Sequence, residues 1–387
     1  MFDTTLGIKS PSRGNLIGFC VAAALIGMAF IRFPVPDGSF RAMFRMIAES
    51  VVLFSIAGVV AYRVNLWVGA FMALVVASWA FQVHHGRVSY LARDYFLIMS
   101  AWLVFVWWAV RQGGNVSEWI MNAIAVIALL NVFFLAFQWF GSTWAGMINC
   151  AEMKHPIGLM ANKNETGALI AMAFPAFCRK RWVYLLPAVI VGLVLARTST
   201  PVLAVGAGLV VWAGIKGYRF FPLFALMIGM ILYIELWDSE YLFLDTVQAR
   251  LDIWLLGYDK FFYHPLFGAG IGHWPLATNQ LHAHNDFWQL TFEMGVLVPV
   301  IAIGYAVNVM RRFSQEAVLP LIGVVIVAVC SFFSFTAHVA TTAIVAATWM
   351  ALLENSLPSL KDIRARVSGP TRKDGPPPAV LPGSSFV

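Results

Sequence analysis

The chain has 387 residues, of which 60% are hydrophobic and 12% charged, and its mean hydropathy is +0.77. A soluble domain is about half apolar and about a quarter charged, so this composition excludes an ordinary soluble enzyme and points to a polytopic membrane protein. The net charge of +7 does not indicate nucleic acid: the basic residues are spread among connections, where bilayer orientation and anionic lipid head groups account for them.

Lys9 and Arg13 precede an apolar run that begins near Leu16. Arg32-Phe33-Pro34 follows it in place of a small-residue cleavage site, so the run reads as a first span. A crossing helix needs about 20 apolar residues. Candidate spans centre on Leu25, Phe54, Leu74, Val104, Ala128, Ile170, Ile190, Leu209, Met227, Val300, Val327 and Ala346. The expected fold is therefore all-α and polytopic, with about twelve transmembrane helices. Its parts are a cytoplasmic tail over 1–15, a transmembrane domain over 16–360 and a disordered cytoplasmic tail over 361–387.

With both termini cytoplasmic, the inner connections hold Lys9 and Arg13, Arg63, Arg111, Arg179-Lys180-Arg181, Lys216 and Arg219, Arg311 and Arg312, and the basic tail from Lys361. This is the positive-inside pattern. Arg32, Arg41 and Arg45 oppose it, because that connection would lie outside. Two external connections stand out, residues 141–163 and the larger 238–284. No internal repeat of the kind that marks many transporters is present. Of the four cysteines, Cys20, Cys150, Cys178 and Cys330, only Cys150 falls in an external connection, so no disulfide framework is expected.

In the smaller external connection, Asn162-Lys163-Asn164-Glu165 reads as an Asn cap with Glu at the third helical position. Lys163, at that helix start, is a candidate phosphate contact. Arg197 opens a span from the outer side, against the orientation bias, either as a snorkelling anchor or in a specific role.

Within the large connection, Leu251, Trp254, Leu255, Tyr258, Phe261 and Phe262 recur at helical spacing, with Asp252, Asp259 and Lys260 between them. This predicts an amphipathic surface helix opened by Arg250. Arg250 is either a snorkelling anchor or a guanidinium aimed at a lipid-borne phosphate, which its planar fork suits. Gly268-Ala269-Gly270-Ile271-Gly272 then leads to His282-Ala283-His284-Asn285-Asp286, at the mouth of the apolar run from Phe287 to Val309.

Asp286 with Gln289 fits a capping box, which assigns both to structure. A helix start disfavours imidazolium, so His284 is expected to be neutral, as a general base must be. His282 is the second candidate. Glu293 lies seven residues into that helix, about 10 Å along its axis, where a carboxylate needs a partner. It either orients His284, pairs with an arginine, or belongs to a structural ion pair. His264, His273, His282 and His284 share the loop, but their spacing matches no familiar zinc pattern and cysteine is absent from it. No metal or other cofactor is expected. His84, His85, His155 and His338 read as interfacial or packing residues.

Four segments together resemble the O-antigen ligase and O-antigen polymerase superfamily of bacterial envelope glycan enzymes. Gly158-Leu159-Met160-Ala161-Asn162-Lys163-Asn164 followed by Pro175 resembles its Gly…Asn-x-Asn…Pro segment. Ala196-Arg197-Thr198 resembles its Ser-Arg-Gly element, with Ala196 and Thr198 departing from it. Arg250-Leu251-Asp252-Ile253-Trp254 through Pro265-Leu266-Phe267-Gly268-Ala269-Gly270 resembles its Arg…Trp…Pro-Leu-x-Gly-x-Gly stretch. His282-Ala283-His284-Asn285 with Glu293 and Gly295 resembles its His-x-His-Asn…Glu-x-Gly.

The resemblance implies a multi-pass protein of the bacterial inner membrane with a periplasmic active site. It implies metal-independent transfer of a glycan from an undecaprenyl-pyrophosphate carrier to a hydroxyl on another glycan, a lipid A core or another acceptor. Arg197 and Arg250, with Lys163, would bind the pyrophosphate. His284, with His282 and Glu293, would serve the acceptor. Two other classes fit the composition. A transporter of a small solute or a lipid-linked sugar would place charges at mid-span in broken helices, and a non-catalytic assembly protein would need neither the arginines nor the His-x-His pair.

Overall fold

The computed structural model describes residues 13–30, 66–84, 102, 105–111, 115–139, 156–160, 162–216, 229, 243–280, 283–334 and 340–358. Among these the regular structure is entirely helical. Leu25, Leu74, Ala128, Ile170, Ile190, Leu209, Val300, Val327 and Ala346 each fall within a described helix. The centres at Phe54, Val104 and Met227, the anomalous Arg32, Arg41 and Arg45, Cys150 and the tail from 361 lie outside the described residues. Among the described residues, two helices are long and apolar enough to cross a membrane, Val116–Trp139 and Gln315–Phe333. Gly14–Ile26, Val183–Ala196, Ser199–Ile215 and Leu297–Arg311 are apolar but shorter.

The first part of the bundle consists of α1 (Arg13–Phe30), α2 (Leu66–His84), α3 (Val116–Trp139), α4 (Lys163–Phe177), α5 (Leu186–Ala196) and α6 (Ser199–Lys216). Every residue of α4 from Glu165 to Phe177 is buried. Its sequence suits a central position, because Gly167, Ala168, Ala171, Ala173 and Ala176 keep the surface low and let neighbouring backbones approach. Gly192 of α5 similarly leaves room for Val132 of α3 and Ile170 of α4.

The shortness of α4 has a local cause. Gln138, near the end of α3, accepts from the amides of Ile157 and Gly158 at 2.8 Å and returns its Nε2 proton to the Gly158 carbonyl. Asn131, seven residues and so about 10 Å earlier on α3, accepts from Leu159 N at 3.1 Å. Residues 157–159 thus run down the side of α3, and α4 starts well below its end. Asn162 caps that start, accepting from Glu165 N at 3.0 Å while its Nδ2 donates to Glu165 Oε1 at 2.7 Å, as the sequence predicts.

The basic turn after α4 lies at the opposite end of α3. Glu118 pairs with Arg179 and Arg181, at 3.3 and 2.9 Å, and Asn122 Oδ1 accepts from Arg179 and the Trp182 indole. At the far end, Trp139 Nε1 donates to the Leu195 carbonyl, and the Arg197 guanidinium stacks on the Trp139 ring at 4.4 Å. The turn at 179–181 and Arg197 are therefore separated by the length of α3.

The second part of the chain adds α7 (Phe243–Phe261), α8 (Trp274–Thr278), α9 (Asp286–Met294), α10 (Leu297–Arg311), α11 (Val318–Phe333) and α12 (Ala340–Ser356). α11 and α12 complete the wall around α4, where the buried Trp349 indole of α12 donates to the Met172 carbonyl at 2.8 Å. α7, α8 and α9 form a small layer with its own core of Trp274, Ala283 and Phe292. Burying a side chain such as Phe292 stabilises by about 1.5–3 kcal/mol. The layer rests on the bundle through α9, which packs against α2 and α11.

Candidate functional site

The site is built where α7 and α9 meet. α7 already includes Phe243, so Arg250 lies inside it instead of opening it. Leu251, Leu255, Tyr258 and Phe262 form an exposed apolar stripe. Ile253, Trp254 and Phe261 turn the other way, onto the core of the layer, and Gly257 is smooth enough for the Trp274 ring to lie against it. Arg250 follows the inward spacing, four residues before Trp254 and seven before Gly257. Burial lowers the guanidinium's pKa, as desolvation does to any cation.

The capping residue of α9 is Asn285, one position before the expected Asp286. Asn285 is extended at φ −155° and accepts from Trp288 N at 2.9 Å. Asp286 becomes the first helical residue and is buried. The capping box therefore does not form, and Gln289 is released for another role. Its Oε1 accepts from Ala283 N at 3.0 Å and its Nε2 donates to Glu293 Oε1 at 3.1 Å. Glu293, fully buried, also accepts from Trp274 N at 3.3 Å. On the other side of the same residue, Trp254 Nε1 donates to the Ala283 carbonyl at 2.7 Å.

His284 sits between this clamped residue and the cap. Its φ of 54° is left-handed, a conformation that costs a residue with a Cβ about 1 kcal/mol or more. The Ala283 and Asn285 contacts hold it there. Burial and the positive charge of Arg250 push the imidazole pKa below its ordinary value. Both act against imidazolium. The base form is thus favoured, as the sequence predicts, although the cause is desolvation and the arginine. His282 lies outside the described residues.

The glycine-rich run has a packing role that its spacing did not reveal. Ala269 N and Gly270 N donate to the Phe292 and Glu293 carbonyls at 2.8 and 2.7 Å, and Val296 N donates to the Pro265 carbonyl at 2.8 Å. The strap thereby satisfies the last carbonyls of α9, which helix ends leave open. A Cβ on Gly268 would overlap the Glu293 carbonyl, and one on Gly295 would overlap the Leu266 carbonyl; their φ values are 73° and 88°. Gly295 also splits the expected span from Phe287 to Val309 into α9 and α10.

Lys163 and Arg197 form a second group. Lys163 is the first residue of α4. One turn later, Gly167 lies against Thr198 and Pro201, beside Arg197. Arg197 is itself left-handed at φ 48°, at the corner between α5 and α6. The two groups are linked by α11, which packs on α4 and on α9. Among the described residues no three His, Cys, Asp or Glu side chains gather as a metal site.

Comparison of the chain with protein-family models finds no match, and comparison with curated proteins finds none either. The sequence reading missed Gln289 and Trp254 as parts of the site. The signal available for Gln289 was its spacing of four from Glu293, which places the two on one helical face.

Proposed function

We propose that this chain is a membrane glycosyltransferase of the O-antigen ligase or polymerase type. It has about twelve transmembrane helices, lies in the bacterial inner membrane with both termini cytoplasmic, and works at the periplasmic face. The observation that carries the reading is the hydrogen bond from Trp254, one helical turn after Arg250, to the Ala283 carbonyl, which brings the helix of Arg250 against the histidine loop. Burial and the charge of Arg250 both lower the pKa of His284. A neutral imidazole beside a guanidinium suits a reaction that takes a proton at one atom and develops anionic charge at another. The sequence resemblance supplies the reaction class. The separation of the basic 179–181 turn from Arg197 by the length of α3 agrees with the proposed orientation.

In the proposed reaction the acceptor oxygen attacks the anomeric carbon of the lipid-linked glycan. The bond from that carbon to the pyrophosphate oxygen breaks, and undecaprenyl pyrophosphate leaves from the opposite face. His284 takes the acceptor proton, which predicts inversion at the anomeric carbon. Arg250 stabilises the charge growing on the leaving group, and Arg197 and Lys163 extend the anion site. Glu293 acts through Gln289. The partners are an undecaprenyl-pyrophosphate-linked glycan, a hydroxyl acceptor on a glycan or lipid A core, and the bilayer. No cofactor is part of the scheme.

Disruption of the gene tests this reading through the surface glycan resolved on a gel. Single-repeat products identify a polymerase, and long lipid-linked chains that remain unattached identify a ligase. An unchanged glycan profile contradicts both.

A further inference from the structure

Among the described residues, Gln289 is the buried polar side chain that joins Glu293 to the backbone of Ala283, the residue before His284. Asn285 caps α9 one residue earlier than a capping box would require, so the Gln289 amide reaches back past the cap. Its two functions are used in opposite directions: the oxygen accepts from Ala283 N, and the nitrogen donates to Glu293 Oε1. The bond from Trp274 N to that same carboxylate oxygen fixes the carboxylate in turn. Trp254 holds the Ala283 carbonyl from α7, the helix that carries Arg250. The residue Ala283 is thereby gripped at both its N–H and its C=O. The next residue, His284, is held in a left-handed conformation that a free loop histidine rarely adopts.

We propose that Gln289 is a positioning residue for His284: it transmits the fixed carboxylate of Glu293 to the Ala283 peptide and so sets where the imidazole stands relative to Arg250. The proposal rests on the reading of His284 as the base. It differs from a cap, because a cap stabilises the helix and leaves the imidazole's neighbourhood unchanged. It also assigns Glu293 a role that needs no direct contact with the imidazole.

The test compares Gln289→Leu, Gln289→Glu, Glu293→Gln and the double variant Gln289→Glu/Glu293→Gln, each purified as the full chain in lipid. The double variant restores the bond between positions 289 and 293 with donor and acceptor exchanged. A glutamate at 289 accepts from Ala283 N and from the glutamine at 293, whose nitrogen takes the place of the oxygen that accepts from Trp274 N. For glycan transfer, Gln289→Leu is expected to lower kcat about tenfold to a hundredfold with KM for the donor little changed, the scale of a misplacement near 1 Å. The double variant is expected to recover part of that loss, whereas Gln289→Glu alone does not. It also moves a negative charge one turn nearer His284, so the acid limb of its pH profile should shift to higher pH.

A second readout needs no activity: the rate at which diethyl pyrocarbonate modifies His284, followed by peptide mass spectrometry across pH. A changed rate at His284 in Gln289→Leu, restored in the double variant, supports the positioning role even if wild-type protein transfers no glycan. In that case the functional reading fails and the structural one stands. A well-folded Gln289→Leu with wild-type kcat and wild-type His284 reactivity overturns the proposal, as does a double variant no better than Gln289→Glu.

Discussion

The Trp254 indole donates to the Ala283 carbonyl at 2.7 Å, so the residue one helical turn after Arg250 fixes the peptide immediately before His284. The surface helix and the histidine loop are therefore joined by a partly buried hydrogen bond as well as by apolar packing. A disturbance on α7 reaches His284 through this bond.

Trp254→Phe keeps the ring and removes the donor. The Ala283 carbonyl then loses a partner in a partly buried site, at a cost of about 1–3 kcal/mol. Thermal unfolding in lipid should shift modestly downward and glycan transfer should fall further than that shift explains. Equal transfer in the two proteins would show that the bond does not position the site.

Gly295→Ala should be strongly destabilising, because its Cβ would overlap the Leu266 carbonyl at a φ of 88°. Strain of this kind costs about 1–3 kcal/mol before any displacement of the strap. Gly206 supplies the control: nothing lies within 4 Å of its Cβ position, and Ala is favoured over Gly in a helix interior by about 1 kcal/mol. Unfolding midpoints should therefore fall for Gly295→Ala and hold or rise for Gly206→Ala.

Arg250→Gln should raise the pKa of His284. The positive charge is one of the two causes that lower it, and its removal makes protonation easier. Histidine NMR in detergent would register the upward change, and residual transfer activity should be lost at a higher pH on the acid side. A pKa at His284 that does not move, or that moves down, would contradict the placement of Arg250.

Asn285→Ala should cost about 1 kcal/mol as a lost helix cap, and Asn285→Asp much less, because a carboxylate oxygen can still accept from Trp288 N. The comparison separates capping from any chemical use of the side chain amide. Hydrogen exchange at Trp288 N and Gln289 N reports the fraying directly.

Much of the bundle was legible because it depends on patterns that sequence displays. The apolar runs around Ala128 and Val327 lie in α3 and α11, and the Asn162 cap with Glu165 formed as its spacing predicts. The cap of α9 was displaced by one residue because Asn285 and Asp286 are both good caps, and tertiary bonds to Ala283 decided between them. That α7 already includes residues before Arg250 was missed because the apolar spacing was read only from Leu251 onward. The glycine run showed only its place before the histidines, whereas Gly268 is needed for contact with the Glu293 carbonyl, a partner distant in sequence. Gln289 was assigned to the helix start for the same reason: its acceptor role depends on Ala283 folding back over α9.

The most direct measurement is glycan transfer by the purified full chain in lipid, supplied with an undecaprenyl-pyrophosphate-linked glycan and a hydroxyl acceptor. His284→Ala and Arg250→Ala proteins are compared with wild type at matched folded amounts. Wild type should form product with inverted anomeric configuration. Each variant should lose at least about a hundredfold in rate, the scale that removing a general base or an anion-stabilising donor produces. Full transfer by the His284→Ala protein would contradict the assignment of His284 as the base.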